Sequence, residues 1–507
     1  MNIIVVGCGT VGYSLVEQLS SENHDIVVID EDESRVRLIT DEFDTLFLTL
    51  PMLVGLYYHE YNCSLAYFCI AFLCLVTGFI LRRAKLKNDE LYLREGFAAV
   101  AFSWLFLSIF GCIPFIITGE IPDFVNALFE TVSGFTTTGA SILNDVEALS
   151  HASLFWRSFT HWVGGMGIFM LILTILPLAG AHGMNLMRAE SPGPSVGKVL
   201  PKIKDTAIMT YAAYIGITVF GFIAFLFTRM SVFEAATMIF GTVGTGGYGI
   251  YNDSAASFTP LQQNVITFFM IISGINYNMY FCLIVRQFKQ AFRFEEIRWY
   301  LAIIFSSTCI ITWNIHHMYP TIRESIRHAA FQVGSIITTS GFSTVDFDQW
   351  PQFSKTILVI LMFIGACAGS TGGGFKVSRL LILCKSIGKE LQLIIHPNLS
   401  KRIHIDNQSL SDETLRSTNA YAAIYFILVF VSVLLVGIDG HDFTTDFTAV
   451  AATLNNIGPG LGLVGPTRNF DFYSNFSKCI LIFDMLAGRL ELFPVLILFV
   501  PGCWRKY

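Results

Sequence analysis

Four stretches of the chain share one plan: a short half-apolar segment, then threonine, serine or asparagine, then glycine. They are residues 126–141 (NALFETVSGFTTTGAS), 234–249 (EAATMIFGTVGTGGYG), 329–344 (AAFQVGSIITTSGFST) and 449–462 (AVAATLNNIGPGLG). Aligned on one glycine each, they place Gly139, Gly246, Gly341 and Gly458 in register. Glycine lets a chain turn its carbonyls toward an axis, and small hydroxylated residues add oxygens without blocking a hole. Backbone oxygens arranged in this way replace the hydration shell of a dehydrated cation. The chemistry on offer is ion coordination, and no catalytic constellation accompanies it.

Each stretch needs a scaffold that presents it. A cap residue precedes each glycine: Asp123, Ser231 with Glu234, Thr321 with Glu324, and Asp442. Ser231/Glu234 and Thr321/Glu324 have the spacing of a capping box, which marks a helix start. Each stretch therefore reads as a short re-entrant helix followed by an extended return. The negative end of such a helix points toward the membrane centre and favours a cation there. Irregular backbone at that depth is tolerated only when buried in protein or lining water.

The surrounding sequence supplies the membrane. Of 507 residues, 53% are hydrophobic and only 14% charged, against roughly a quarter charged in a soluble protein. Mean hydropathy is +0.59, and the apolar residues cluster in runs of about twenty, the length that crosses hydrocarbon. After a short apolar run at 46–58 carrying Pro51, spans are expected at 64–81, 97–118, 155–178, 207–228, 261–285, 299–319, 353–384, 418–438 and 474–500. Connections on one side carry Arg188, Lys198, Arg286, Arg293, Lys385 and Arg402. Those on the other carry Glu120, Glu130, Asp145, Asp253, Asp348, Asp446 and Asp471. By the positive-inside rule the basic side is cytoplasmic, with both termini there. All four glycine loops then fall on the outer side in the same orientation. That parallel repetition suits a pore; inverted repeats would place the loops on opposite faces. The eleven cysteines are scattered, mostly within apolar runs, without zinc or disulfide spacing.

At this point a family resemblance is carried by the phrases FTTTGAS, HWVGGMGI, AESPGP, AGSTGGGFK, ATLNNIGPGLG and MLAGRLELF. From about Leu46 onward the chain resembles TrkH, the membrane subunit of the Trk potassium uptake system, within the superfamily of K⁺ transporters that includes KtrB. The resemblance implies a potassium pathway with one filter loop per repeat. It assigns the ion-facing carbonyls to Thr137, Thr138 and Gly139; Gly244, Thr245 and Gly246; Thr339, Ser340 and Gly341; and Asn456, Ile457 and Gly458. It also implies a homodimer in the bacterial inner membrane, served by a separate cytosolic TrkA-like ring. NAD or ATP would act only through that partner subunit, and no nucleic acid is expected. No loop spells the full TVGYG of potassium channels, so discrimination of K⁺ from Na⁺ is expected to be looser than in a tetrameric channel.

Below the filter, the span at 353–384 is interrupted by GACAGSTGGGFK, with five glycines among residues 365–374. Each costs a helix up to about 1 kcal/mol against alanine. A flexible plug involving Gly369, Gly372, Gly373 and Gly374 fits, and the resemblance implies an intramembrane gating loop here. Contiguous glycines argue against a simple helix-packing seam, which spaces small residues apart. Lys376 and Arg489 are cations within spans, and intramembrane charge is usually functional. Arg489 reads either as an electrostatic barrier in the pore or as the partner of nearby Asp484 or Glu491. His161, His316 and His317 read as packing or interfacial residues.

The first 45 residues differ in kind. A strand at 3–6 runs into Gly7, Gly9 and Gly12 as GxGxxG, then a helix, a second strand, and Asp30. This is a dinucleotide-binding start, with Gly9 near a pyrophosphate and Asp30 on a ribose hydroxyl. It resembles the beginning of TrkA and then breaks off, lacking the second half of such a site.

The expected fold is an all-α polytopic membrane protein of four pseudo-symmetric helix–pore loop–helix repeats, plus a small incomplete α/β Rossmann fragment. The parts are residues 1–45, the TrkA-like fragment; 46–95, N-terminal membrane helices with the first truncated; 96–206 and 207–298, repeats one and two; 299–417, repeat three with its gating loop; and 418–507, repeat four. Two other readings remain open here: an ion-coupled secondary transporter, and a membrane-anchored NAD-dependent oxidoreductase built on Gly7 to Asp30.

Overall fold

A computed structural model of the chain describes residues 2–6, 25–29, 37–82, 93–167, 203–291, 293–397, 402–406 and 408–504. Strands β1 (Asn2–Val6) and β2 (Asp25–Ile29) pair in parallel, from Asn2 opposite Asp25 to Val6 opposite Ile29. Gly7, Gly9, Gly12 and Asp30 lie outside the described residues, as do Arg188, Lys198 and the AESPGP motif. Helix α1 (Arg37–Tyr57) runs unbroken through the expected boundary at residue 45 and retains Pro51 within it. It packs on α2 (Tyr61–Arg82), where the Ser64 hydroxyl donates to the Met52 carbonyl at 3.1 Å.

Four units of one design follow. The first is α3 (Leu93–Thr118), short helix α4 (Phe124–Phe135) and α5 (His151–Met166). The second is α6 (Ile203–Phe227), short helix α7 (Val232–Val243), then α8 (Pro260–Ser273) and α9 (Tyr277–Ile284). The third is α10 (Glu295–Ile315), short helix α11 (Ile322–Ile337), then α12 (Gln352–Ile364) and α13 (Val377–Ile395). A hairpin of β3 (His404–Ile405) and β4 (Gln408–Ser409) leads to the fourth: α14 (Asp412–Val436), short helix α15 (Phe443–Leu454) and α16 (Asn475–Arg489).

Among the described residues, Tyr61–Phe79, Gly96–Thr118, Ile208–Phe227 and Asp412–Asp439 are each long and apolar enough to cross a bilayer. Their outward faces expose large apolar side chains such as Phe72, Phe106, Phe220 and Leu434. Exposed apolar surface on that scale needs a lipid or protein partner. Three expected spans take a different form. The run at 261–285 is bent by 91° between α8 and α9 at Gly274–Asn276. The run at 353–384 is broken between α12 and α13, at the glycine-rich segment. The last run ends its helix at Arg489, so this arginine stands at a helix end instead of mid-span. Glu491 and Leu492 then adopt positive φ, which terminates the helix.

The four short helices start where their caps predict. Asp123, Ser231, Thr321 and Asp442 each accept a hydrogen bond from the backbone N–H three residues on. Ser231 and Glu234 form the reciprocal capping box, whereas at Thr321 only the forward bond is present. Satisfying these amides matters because the inner end of each short helix is buried in protein and depends on where the helix starts. Replacing Ser231 by alanine is expected to destabilise the fold by about 1 kcal/mol. A lowered thermal-shift midpoint in detergent, with the Ser231→Thr control near wild type, checks this.

Candidate functional site

Each short helix leaves the helical conformation in the same steps. The amides of Thr136, Gly244, Thr338 and Asn455 still reach four residues back. The next residues, Thr137, Thr245, Thr339 and Asn456, reach three back and take φ of 55°, 55°, 57° and 55°. The residues after those, Thr138, Gly246, Ser340 and Ile457, bond five back, to Ser133, Gly241, Ser335 and Ala452. Finally Gly139, Gly247, Gly341 and Gly458 adopt φ of 76°, 84°, 74° and 95°. Non-glycine residues rarely enter the left-handed region, and here three threonines and an asparagine do so at equivalent positions. All four are fully buried.

This pattern corrects the alignment of the second loop by one residue. The sequence offers Gly246 and Gly247 side by side, and the choice of Gly246 set the expected triad at Gly244–Gly246. The dihedral angles and hydrogen bonds instead make Thr245, Gly246 and Gly247 the counterparts of Thr137–Gly139, Thr339–Gly341 and Asn456–Gly458, with Gly244 capping α7. From cap to glycine the count becomes 16 residues in three loops and 20 in the third, whose short helix is one turn longer.

The loops close into a ring. A Cβ on Gly139 would strike the Gly246 carbonyl oxygen, and one on Gly247 the Ser340 oxygen. One on Gly341 would strike the Ile457 oxygen, and one on Gly458 the Thr138 oxygen. Each glycine thus lies against a carbonyl of the next loop, in the order one, two, three, four and back to one. Asn456 reinforces the closure by donating to Thr138 Oγ1 at 3.0 Å and to the Met485 carbonyl at 2.9 Å.

Side chains that sequence reasoning left without a role hold this ring. His161 Nδ1 lies 2.7 Å from the Gly134 carbonyl, and the Tyr248 amide donates to Nε2 at 3.2 Å, so one buried imidazole joins the first two loops. His316 and His317 are exposed beyond α10. Glu130, expected among the outer acids, is buried and paired with Arg157 at 2.8 Å. Its carboxylate also accepts from the Ser141 hydroxyl and the Ile142 amide, each at 3.0 Å. Asp446 is likewise buried, accepting from the Tyr473 hydroxyl at 3.0 Å. Adjacent glycines in HWVGG allow the end of α5 to approach loops one and two, since a Cβ at Gly164 would meet the Phe135 carbonyl and one at Gly165 would meet Gly244 Cα.

The glycine-rich break lies directly against the ring. The Gly373 amide donates to Thr339 Oγ1 at 2.6 Å, and a Cβ at Gly372 would come within 2.9 Å of the Thr338 oxygen. Gly365, Gly369, Gly374 and Lys376 all have positive φ, which ends α12 and starts α13. Buried Lys376 folds back to donate to the Gly372 carbonyl. The break also bonds to the bend between α8 and α9: Cys367 N to Gly274 O at 3.1 Å, and Tyr277 N to Gly369 O at 3.0 Å. Arg489 donates to the Thr371 carbonyl at 3.0 Å, to the Gly165 carbonyl at 2.6 Å, and to the Gly164 carbonyl. The acids considered as its partners are engaged elsewhere: Glu491 pairs with Arg379, and Asp484 accepts from the Ser432 hydroxyl at 2.7 Å.

Comparison with known proteins decides the family. The TrkH family model, described as cation transport protein, matches residues 64–505. This chain belongs to the TrkH family. It is 39% identical over 467 residues to the Trk system potassium uptake protein TrkH of Escherichia coli K12, covering 90% of this chain and 96% of that relative. It is 36% identical over 469 residues to the Vibrio parahaemolyticus protein of the same name, covering 90% and 95%. The crystal structure of the potassium transporter TrkH from Vibrio parahaemolyticus superposes with a TM-score of 0.82 at 31% identity, covering 93% of this chain and all of that one. Residues 3–50 match a different model, the TrkA-N domain. The TrkH match and the ring of loops belong to the same part of the chain.

Two substitutions probe the geometry in this TrkH-family ring. Gly247→Ala forces a side chain into the left-handed region, a strain of about 1–3 kcal/mol, and into a neighbouring carbonyl. It is expected to lower Rb⁺ flux in proteoliposomes at least tenfold, while Gly249→Ala stays near wild type. Equal flux in both variants would remove the corrected register. Arg489→Ala removes a cation that braces the break and is expected to raise flux; unchanged flux with poorer expression would make Arg489 a packing element.

Proposed function

We propose that the chain mediates potassium uptake across a bacterial inner membrane, through the ring formed by its four glycine loops. The ring closure carries this reading: four equivalent backbone turns, each glycine lying against the next loop's carbonyl. The oxygens of Thr137–Gly139, Thr245–Gly247, Thr339–Gly341 and Asn456–Gly458 would take the place of water around K⁺. In favour stands the potassium-uptake name of relatives matched over nine-tenths of the chain.

The break at 365–376 would act as the gate. It touches the filter through Thr339, and its backbone is rich in glycine. Lys376 and Arg489 add positive charge beside the same segment, raising a barrier to a cation. Regulation would come from a homodimer-bound cytosolic ring of TrkA-like subunits carrying NAD or ATP. The TrkA-N match at residues 3–50 makes that partner chemistry pertinent to this chain. Both termini would lie in the cytoplasm, where the basic connections gather.

The deciding experiment is ⁸⁶Rb⁺ uptake into liposomes holding the full chain, with Na⁺ as competitor. Uptake down the Rb⁺ gradient is expected, with Na⁺ competing measurably because the four loops differ in sequence. Shortening the break by removing residues 370–374 is expected to raise uptake further. No uptake by either protein would defeat the reading; channel-grade exclusion of Na⁺ would defeat the expectation of loose selectivity.

A further inference from the structure

The break at 365–376 is long, rich in glycine and costly to order, since each fixed residue forfeits about 1–2 kcal/mol of backbone entropy. Something must hold it shut beneath the ring. One carboxylate oxygen reaches both of its ends: Glu296 Oε1 accepts from the Ala368 amide at 2.7 Å and from the Ser378 amide at 3.0 Å. Glu296 is buried in the first turn of α10. Removing an acceptor shared by two buried amides leaves both unsatisfied. A single side chain on a neighbouring helix thus draws together the entry to the break and the first turn of α13.

The start of α10 is itself fixed from outside the membrane helices. Asp406, at the turn of the β3–β4 hairpin, accepts from the Glu295 amide at 2.6 Å. Lys385 on α13 donates to Glu295 Oε2 at 2.6 Å and to the His404 carbonyl at 2.7 Å. The hairpin, the first turn of α10 and the break therefore form one connected series of charge-assisted bonds.

We infer that Glu296 is the positioning residue that clamps the intramembrane loop closed, and that the β3–β4 hairpin sets the clamp through Asp406. The inference rests on the gate reading above and names the groups that hold the gate. Displacing the hairpin would free the α10 start, loosen Glu296 from Ala368 and Ser378, and let the loop leave Thr339.

The test uses the full chain in liposomes, without any added partner. Glu296→Ala is expected to raise ⁸⁶Rb⁺ flux roughly tenfold or more, the scale of leaving two buried amides without their acceptor. Glu296→Gln keeps an oxygen able to accept from both amides and is expected to stay within about twofold of wild type. The ratio of Rb⁺ to Na⁺ flux should not change, because the ring is untouched. Cys367 lies in the loop and is fully buried. Its labelling by a small cationic methanethiosulfonate, mapped by peptide mass spectrometry, should rise in Glu296→Ala but not in Glu296→Gln. Wild-type flux and labelling in Glu296→Ala would overturn the inference. If that variant fails to fold, Asp406→Ala carries the same expectation at smaller amplitude, and wild-type labelling there overturns it. Should removal of residues 370–374 raise flux while Glu296→Ala does not, the clamp falls and the gate stands. Should neither raise flux, the gate reading falls with it.

Discussion

The structure depends on one constraint: in hydrocarbon, every peptide N–H and C=O must find a partner within the protein. Long helices meet it internally, but the four returns after the short helices cannot. Their amides bond back onto the helix they have just left. The same accounting that forbids loose backbone at this depth presses each return against its neighbours, glycine against carbonyl. Such packing needs neighbours within van der Waals reach of the chain, which explains why glycine occupies the contact points.

Polar side chains complete the enclosure. Arg157, Glu130, His161, Tyr248 and Asn456 each join segments distant in sequence. A buried ion pair is expensive to desolvate and, once built, costs about 3–5 kcal/mol to break by removing one member. Such groups add little net stability over apolar packing, but they penalise any misplacement of the loops they join. Where four loops must meet in register, that specificity is what the scaffold supplies.

Much of this was legible in the sequence, and what was not has physical causes. The caps at Asp123, Ser231, Thr321 and Asp442 were readable because capping is local chemistry, confined to four residues. The glycine break announced itself by density. Loop two was misaligned because Gly246 and Gly247 are interchangeable to the eye, and only a positive φ distinguishes them. Glu130 looked like an outer acid because its partner lies 27 positions away, on the helix beyond the return. The bend at Gly274–Asn276 was not legible because the run around it is long enough to span unbroken and a single glycine is common in spans. The clamp at Glu296 was invisible because its partners are backbone amides, which no side-chain pattern reveals. Neither Arg489 nor its suspected acids could be matched from spacing, because its acceptors are carbonyls on α5 and in the break.

The four units are alike at their short helices and returns, and the described residues differ below them. Among the described residues, the third carries the glycine-rich interruption with its lysine, and the second is sharply bent where it meets that break. A ring of four identical chains could not be built this way. Any lysine placed on its inner side would appear four times, and four ammonium groups crowded at one level would repel one another. Joining the units in a single polypeptide removes that copying rule. Each quarter is free to diverge, so one can take on a feature that its siblings need not share.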